Sequence, residues 1–355
     1  MSEIDQIKKN YDHWVNEIYD ASLTKKLVAM RESEILDAFG AELSFGTAGL
    51  RGVMGLGTNR INEITITRTA ISVVKYLKEN FENPSLVIGF DTRKNSKKFS
   101  RIFAKVSEYS GIKTYLFKKF CPTPLLSYSI TNLKASMGVM ITASHNNKTY
   151  NGIKVSDHNG IQISGDTLNQ IIQNYKNANG ISVYNKTYKL PSWKNNKIKL
   201  IKGKMRKKFL SYCEEKKEKH DIKIVYTPLN GTGYKCVKKL LGKNNFDIFV
   251  PKTQKNGNGE FATCPYPNPE FEEAFCEAKK LAVKKNADII VATDPDADRL
   301  GIMVKNGEDY TKISGNELGY IFLYQRAKQY GTVYYGILED SIRNNKRVFR
   351  IKDED

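Results

Sequence analysis

The sequence is poor in cysteine and lacks an apolar run long enough to cross a bilayer. Its cysteines show neither CxxC nor His-paired metal spacing and stand at positions 121, 213, 236, 264 and 276. Such cysteines suit free thiols in a reducing compartment. No segment resembles the hydrophobic core of a signal peptide, and residues 1–20 mix charged and apolar side chains like an amphipathic helix. These absences favour a globular protein of the cytoplasm.

Negative charge is scarce as well, because the sequence has 57 lysines and arginines but only 38 acidic residues, which gives a formal net charge of +19. The lysines cluster at 94–119, 187–223 and 235–255. No zinc finger, RNP-type aromatic motif or recognition-helix pattern accompanies them. We therefore expect no nucleic-acid partner and no membrane partner. The expected effect of the charge is to steer anionic ligands toward the protein.

Three acids at alternate positions form the most informative motif, DPDADR at residues 294–299. They follow the apolar run 287–292, which predicts a buried strand, so the acids stand at the carboxyl end of a strand. A calcium-binding EF-hand loop needs glycine at its sixth position and glutamate at its twelfth, but Arg299 and Lys305 stand there. Asp294, Asp296 and Asp298 therefore predict a site for Mg²⁺, which prefers few carboxylates plus a phosphate oxygen.

A second motif places a hydroxyl beside an imidazole at the end of another apolar run, GVMITASHNN at residues 138–147. Ser144 is a candidate nucleophile, although an adjacent serine and histidine form a weak signal by themselves. The run NGIKV at 151–155 strengthens it, because strand alternation puts Lys154 on the face opposite Ile153 and Val155. Lys154 is therefore expected near the loop that carries Ser144.

Together these motifs resemble the α-D-phosphohexomutase superfamily. A third block, SFGTAGLRGVMG at residues 44–55, is similar to the amino-terminal active-site loop of that superfamily. Its alanine and the following GLGTNRIN at 55–62 resemble the branch that contains phosphoglucomutase and phosphopentomutase. The resemblance covers residues of about 40 to 325 and includes smaller matches at 91–93, 122–124, 227–233 and 315–317.

The resemblance implies that Ser144 carries and donates a phosphoryl group, and that the metal joins this phosphate to the three acids. The reaction implied interconverts glucose 1-phosphate and glucose 6-phosphate through a phosphoserine and a sugar bisphosphate, with glucose 1,6-bisphosphate as activator. Arg51 and Arg299 are expected to neutralise phosphate charge. Lys154 is the first candidate for proton transfer and His145 the second.

Two alternatives remain open at this stage. One is a phosphopentomutase that acts on ribose 1-phosphate and ribose 5-phosphate. The other is a truncated relative without turnover, which binds a phosphosugar or a partner chain. The partner expected in every case is a small phosphosugar, and the chain is expected to be a monomer or a weak oligomer.

Residues 228–233 raise a separate question, because Gly231-Thr232-Gly233 looks like a phosphate cradle. A Walker loop ends in Gly-Lys-Ser or Gly-Lys-Thr, and this segment continues with Tyr234 and Lys235. A strand-to-helix turn is the favoured interpretation.

The predicted fold class is α/β, with successive mixed α/β domains of the phosphohexomutase type, two complete and a third partial. The predicted divisions are an amino-terminal helical segment at 1–40, a first domain at 41–195, a second at 196–305 and a partial third at 306–355. The polar stretch 177–196 is typical of a linker. The sugar-selecting and phosphate-gripping loops of the superfamily find no match, so a fourth domain is expected to be absent. Residues 339–342 echo the sugar loop faintly, and 343–355 have the composition of a solvated tail.

Overall fold

The computed structural model describes residues 2–46, 49–190, 198–213, 221–244 and 246–330. Two residues of the third motif, Thr47 and Ala48, lie outside the described residues. So do the segments 339–342 and 343–355, which belong to the half of the predicted third domain, residues 331–355, that is not described. Within the described residues no helix is both long enough and apolar enough to span a membrane.

Three short helices open the chain and pack around one aromatic cluster. Trp14 contacts Phe39 edge to face, with 5.4 Å between ring centroids, and Leu27 is fully buried beside them. The side chain of Ser2 caps the first helix through a reciprocal capping box with Asp5. These helices are α1 (Glu3–Glu17), α2 (Ala21–Val28) and α3 (Glu32–Phe39).

A seven-stranded sheet forms the first α/β unit. Its strands are β1 (Phe45–Gly46), β2 (Gly49–Val53), β3 (Ser85–Phe90), β4 (Lys113–Phe117), β5 (Met137–Ile141), β6 (Tyr150–Ser156) and β7 (Ile198–Ile201). The spatial order is β1-β2-β6-β5-β3-β4-β7. The four strands from β5 to β7 in this order run parallel. The other three continue the sheet from β5 by antiparallel pairing.

Helices cover this sheet, which explains why its central strand is apolar throughout. Leu86, Val87 and Ile88 of β3 are all fully buried, as expected for a parallel strand covered on both faces. On one face, Phe99 and Phe103 of α5 fill the core. The helices of this unit are α4 (Glu63–Asn80), α5 (Ser96–Tyr109), α6 (Thr123–Asn132), α7 (Gly165–Lys176) and α8 (Gly180–Thr187).

The helix α8 corrects one sequence-based expectation, because it lies inside the stretch predicted to be a linker. Its apolar residues Ile181 and Tyr184 are buried in the cluster formed by the amino-terminal helices. The polar composition gives no clear sequence pattern for this helix, because only a few of its residues are buried.

A five-stranded sheet forms the second α/β unit, in the order β12-β11-β10-β8-β9. β10 is parallel to β8 and antiparallel to β11. The apolar run 287–292 does form a strand, since β10 occupies most of it. The elements are α9 (Gly203–Tyr212), β8 (Lys223–Thr227), α10 (Tyr234–Lys243), β9 (Asp247–Phe249), a 3-10 turn (Glu272–Phe275), α11 (Cys276–Lys285), β10 (Ile289–Thr293), β11 (Leu300–Asn306), β12 (Asp309–Ile313) and α12 (Gly315–Tyr330).

The loops that carry the candidate site residues, one from each sheet, lie opposite each other. The loop after β5 carries Ser144, the loop after β10 carries Asp294, and the two side chains are hydrogen bonded. Open α/β sheets bind ligands at the carboxyl ends of their strands. The mixed α/β architecture with two sheets confirms the predicted fold class.

Candidate active site

Ser144 follows β5 in a backbone conformation that is unusual for a residue with a side chain. Its φ is +53°, and such left-handed residues persist where the surrounding structure fixes them, often at functional sites. Its amide donates to Thr142 Oγ1 at 2.9 Å. Its hydroxyl donates to Asp294 Oδ2 at 2.9 Å, although the residue is almost completely buried. The loop therefore aims Oγ at the acidic cluster.

Arg93 holds the serine loop in this conformation. Its guanidinium donates to the carbonyl oxygens of Ser144, Asn146, Asn147 and Tyr150 at distances of 2.5 to 3.2 Å. Four carbonyls gathered on one fixed cation make a rigid loop, because arginine presents its donors in a planar fork. In the sequence, residues 91–93 stand out only as a minor match, which predicts no role for Arg93.

Asp91 in turn fixes Arg93 and the strand end. Its carboxylate is 3.1 Å from Arg93 Nε and accepts hydrogen bonds from Ser96 and Thr142 at 2.7 Å each. Burial raises the pKa of Asp91, and the charge of Arg93 works against that shift. The whole network is buried, so it supports the serine loop from beneath.

The three acids of the DPDADR motif lie close together. Asp294, Asp296 and Asp298 each bring an oxygen within 4.8 Å of the others. The loop turns on itself, since the amides of Asp298 and Arg299 both donate to Asp294 Oδ1 at 3.1 Å. Asp296 Oδ1 is buried and has no hydrogen-bond partner among the described residues. A buried carboxylate oxygen without a partner fits a divalent cation with hard oxygen ligands, such as Mg²⁺.

The electrostatics of the cluster also fit a cation. Burial, followed by the charges of Asp296 and Asp298, raises the pKa of Asp294 well above its usual value. The hydrogen bond from Ser144 works against this shift. Carboxylates this close repel one another unless a positive charge lies between them.

Lys154 provides such a charge from β6. Its Nζ lies 2.7 Å from Asp296 Oδ2 and also contacts Asp298 Oδ2. Burial lowers the pKa of Lys154, but the attraction of Asp296 and Asp298 outweighs burial and raises it overall. The lysine is therefore an ammonium here. Its strand neighbours Ile153 and Val155 are buried in the core on the other face, which confirms the predicted alternation.

His145 lies against the serine, with Nδ1 at 3.4 Å from Ser144 Oγ. Burial, together with the positive charges of Arg299 and Arg51, lowers the pKa of His145 to about 4. The imidazole is therefore neutral at pH 7.

The two arginines predicted to bind phosphate are both partly buried. Arg51 Nη1 donates weakly to Asn146 Oδ1 at 3.4 Å, and its Nε is buried without a partner among the described residues. Arg299 pairs with Glu270 at 3.0 Å and is partly exposed. Both act electrostatically on His145, so both lie near the serine. The structure thus brings every predicted site residue into one cluster.

Thr123 is a further member that sequence reasoning missed. Its hydroxyl donates to Asp296 Oδ2 at 2.6 Å, and its amide donates to the Asp296 carbonyl at 2.8 Å. The sequence signal was the minor match at residues 122–124. This residue starts α6 in the first unit and holds a loop of the second, so it fixes the two units against each other.

Comparison with known proteins gives consistent results. Residues 42–198 match the family model for phosphoglucomutase/phosphomannomutase, alpha/beta/alpha domain I, and residues 204–307 match that for domain II. The chain is 36% identical to a phosphoglucomutase of Staphylococcus saprophyticus over 318 residues, which cover 87% of the chain. It is 34% identical to a phosphoglucomutase of Staphylococcus aureus strain MRSA252 over 342 residues, 93% of the chain.

These matches extend over part of each relative. The chain spans 57% of the length of the S. saprophyticus protein and 60% of the S. aureus protein. Among solved structures, a phosphoglucomutase/phosphomannomutase family protein from Burkholderia thailandensis superposes with a TM-score of 0.63 at 17% identity. That superposition covers 80% of this chain and 59% of the other, and it supports the fold.

Proposed function

The chain belongs to the phosphoglucomutase/phosphomannomutase family, and we propose that it transfers a phosphoryl group between Ser144 and a hexose phosphate. The reaction proposed interconverts glucose 1-phosphate and glucose 6-phosphate. One observation carries the proposal: the hydroxyl of Ser144 is buried and hydrogen bonded to Asp294, at the edge of a three-carboxylate cluster. The names of the relatives favour glucose phosphates over ribose phosphates.

The proposed chemistry has two half-reactions. In the first, the bond from phosphorus to Ser144 Oγ breaks as phosphorus bonds to the free sugar hydroxyl, which gives a sugar bisphosphate. After the bisphosphate turns round, its other phosphate returns to Ser144. Transfer of this kind depends mainly on positioning and on neutralising charge. Arg93 provides the positioning, because it holds the serine loop at four carbonyls.

Proton transfer falls to Lys154 in this proposal. Its ammonium, stabilised by Asp296 and Asp298, suits donation of a proton to the oxygen that leaves phosphorus. Once neutral, the same amine is ready to accept the proton of the attacking hydroxyl. His145 is neutral and touches Ser144, so it suits orientation of the serine oxygen better than storage of a proton.

Asp294, Asp296 and Asp298, with an oxygen of the phosphoserine, would hold Mg²⁺. When bound, that ion would neutralise the phosphate and the acids together. A phosphoserine adds about −1.5 to −2 charge beside three carboxylates, which explains why an acidic cluster borders the nucleophile. Arg51 and Arg299 would contribute further positive charge toward the phosphate.

The test is turnover of glucose 1-phosphate by the purified chain with Mg²⁺ and a catalytic amount of glucose 1,6-bisphosphate. We expect Ser144→Ala to lose turnover and Ser22→Ala, at an exposed position on α2, to keep it. Turnover retained in Ser144→Ala would contradict the proposal. A chain that is inert toward glucose phosphates but converts ribose 1-phosphate would reassign the substrate to the pentoses.

A further inference from the structure

A cavity of about 320 Å³ lies between the two α/β units and shares no lining residue with the cluster around Ser144. It opens where β4 and β7 end and where α9 and α10 begin. Its walls carry a set of cationic side chains from four segments: Lys118, Lys119, Lys202, Arg206 and Lys235.

These cations have no acidic counterpart in the described lining of the cavity, because none of the described residues there carries a carboxylate. None of the five cations forms an ion pair within the described part of the chain. The larger cavity beside α5 differs, because Asp20 lines it and Lys98 there is paired with Glu63. General lysine richness therefore does not account for a cavity whose described lining carries cations and no carboxylate.

Two helix amino termini reinforce the positive potential. α9 follows β7 after a single residue, Lys202, and α10 follows Gly233; neither has a side-chain cap. The first amides of a helix lack intrahelical partners and carry partial positive charge, so they bind anions. A Cβ placed at Gly203 would meet no atom within 4 Å, so the backbone there is open to a ligand.

The floor of the cavity is apolar. Phe117, Leu125 and Cys121 are buried against it, and the ring of Phe120 stands partly exposed at its rim. A site with an apolar floor and charged walls suits an organic molecule that bears charged groups. Its volume falls at the lower end of the range of about 300–1,000 Å³ typical of small-molecule sites.

We propose that this cavity binds a small phosphorylated compound with two or more phosphate groups, at a site separate from Ser144. The turn at residues 228–233, which resembles a phosphate cradle, leads into α10 at the cavity wall. Thr232 of that turn lines the cavity, and its amide and hydroxyl donate to the Pro295 carbonyl at 2.8 and 3.0 Å. A ligand there touches the support of the acidic loop.

Inorganic pyrophosphate is the probe, titrated calorimetrically into the full chain without Mg²⁺. We expect the variant K202Q/R206Q/K235Q to bind at least about tenfold more weakly, a loss of about 1.4 kcal/mol. The matched control K78Q/K97Q/R101Q removes the same charge from α4 and α5 and should change affinity by less than about twofold, because it leaves the cavity intact. The single variant Lys235→Gln, at an exposed position, should show a smaller loss in the same direction.

Three results would overturn the proposal. Equal weakening in both triple variants would mean diffuse attraction by net charge. Unchanged affinity in the cavity variants would mean that the anion binds elsewhere. Loss of binding in Arg51→Gln, with the cavity variants unaffected, would place pyrophosphate at the site around Ser144. Thermal unfolding of each variant without ligand checks that it is folded, and Lys235→Gln decides the matter if the triple variant is not.

Discussion

At the residue scale, the position of Lys154 carries the most information about the site. Its ammonium lies against Asp296 and Asp298, the acids proposed to hold a divalent cation. Asp296 is fully buried, so its charge requires a positive partner. Lys154 provides that partner in a chain without metal, and a bound cation would provide a second one.

Replacement of Lys154 by methionine should therefore destabilise the metal-free chain strongly. Removal of one member of a buried ion pair costs about 3–5 kcal/mol, because the remaining charge is left without compensation. We expect this loss of unfolding free energy in EDTA, measured by urea denaturation, and partial recovery on addition of Mg²⁺. Turnover should be abolished in both conditions.

Lys148→Met is the matched control. Lys148 forms an exposed ion pair with Glu260, and such pairs contribute less than about 1 kcal/mol. If Lys154→Met were as stable as this control in EDTA, the lysine would not be the partner of the buried acid. If Mg²⁺ stabilised both variants by the same amount, the acids would not need a second cation.

His145 predicts a pH dependence of stability. Its pKa is about 4 in the folded chain, below its ordinary value, because burial and then Arg299 and Arg51 disfavour the charged ring. The unfolded chain therefore binds the proton more readily between about pH 6.5 and 4. The contribution of a neutral His145 is present above that window and is lost as the pH falls through it. In EDTA, His145→Gln should lose less unfolding free energy than the wild type between pH 7 and pH 5. An identical loss in both would contradict this assignment.

At the scale of elements, the acidic loop depends on close backbone contact with the turn that starts α10. A Cβ at Gly231 would lie 2.4 Å from Pro295 Cα and 2.5 Å from its carbonyl oxygen. Both neighbours are backbone atoms, so neither moves cheaply. Glycine at this position therefore lets the two loops of the second unit touch.

Gly231→Ala should consequently shift the acidic loop and lower both stability and Mg²⁺ affinity. Overpacking of this kind costs about 1–3 kcal/mol, measured by urea denaturation, and calorimetry would report the weaker Mg²⁺ binding. Gly242→Ala is the control, since a Cβ there would only approach Ile248 at 3.9 Å. Within a helix alanine is more stabilising than glycine by about 0.5–1 kcal/mol, so this control should not lose stability. Equal Mg²⁺ affinity in the two variants would contradict the proposed role of the contact.

Sequence patterns predicted the parts of this fold in which local signals and tertiary structure agree. The acidic motif after an apolar run predicted that the acids follow a buried strand, which is β10. The alternation around Lys154 predicted which side chains of β6 face the core. The patterns failed where long-range packing decides the outcome. α8 is hidden in a polar stretch because its buried side chains contact residues far away in the chain, as the hydrogen bond from Tyr184 to Asp20, 164 residues apart, illustrates. Arg93 and Thr123 act on distant loops, so spacing alone could not assign their roles.

At the scale of the whole molecule, the candidate site exists only where the two units meet. Ser144 comes from the first unit and Asp294 from the second, and Thr123 joins them by bonds to Asp296. The chain spans about 60% of the length of its curated relatives. Turnover also needs groups that hold the remote part of the substrate. Under the proposed function, the cluster around Ser144 would carry out the transfer step alone.

The most direct test is therefore the phosphorylation of Ser144 itself. The 355-residue chain would be incubated with glucose 1,6-bisphosphate and Mg²⁺, digested, and searched for phosphate by tandem mass spectrometry. We expect phosphate on Ser144 in the wild type, and none on the corresponding peptide of Ser144→Ala. A folded wild-type chain that gains no phosphate, or gains it on another residue, would contradict the account.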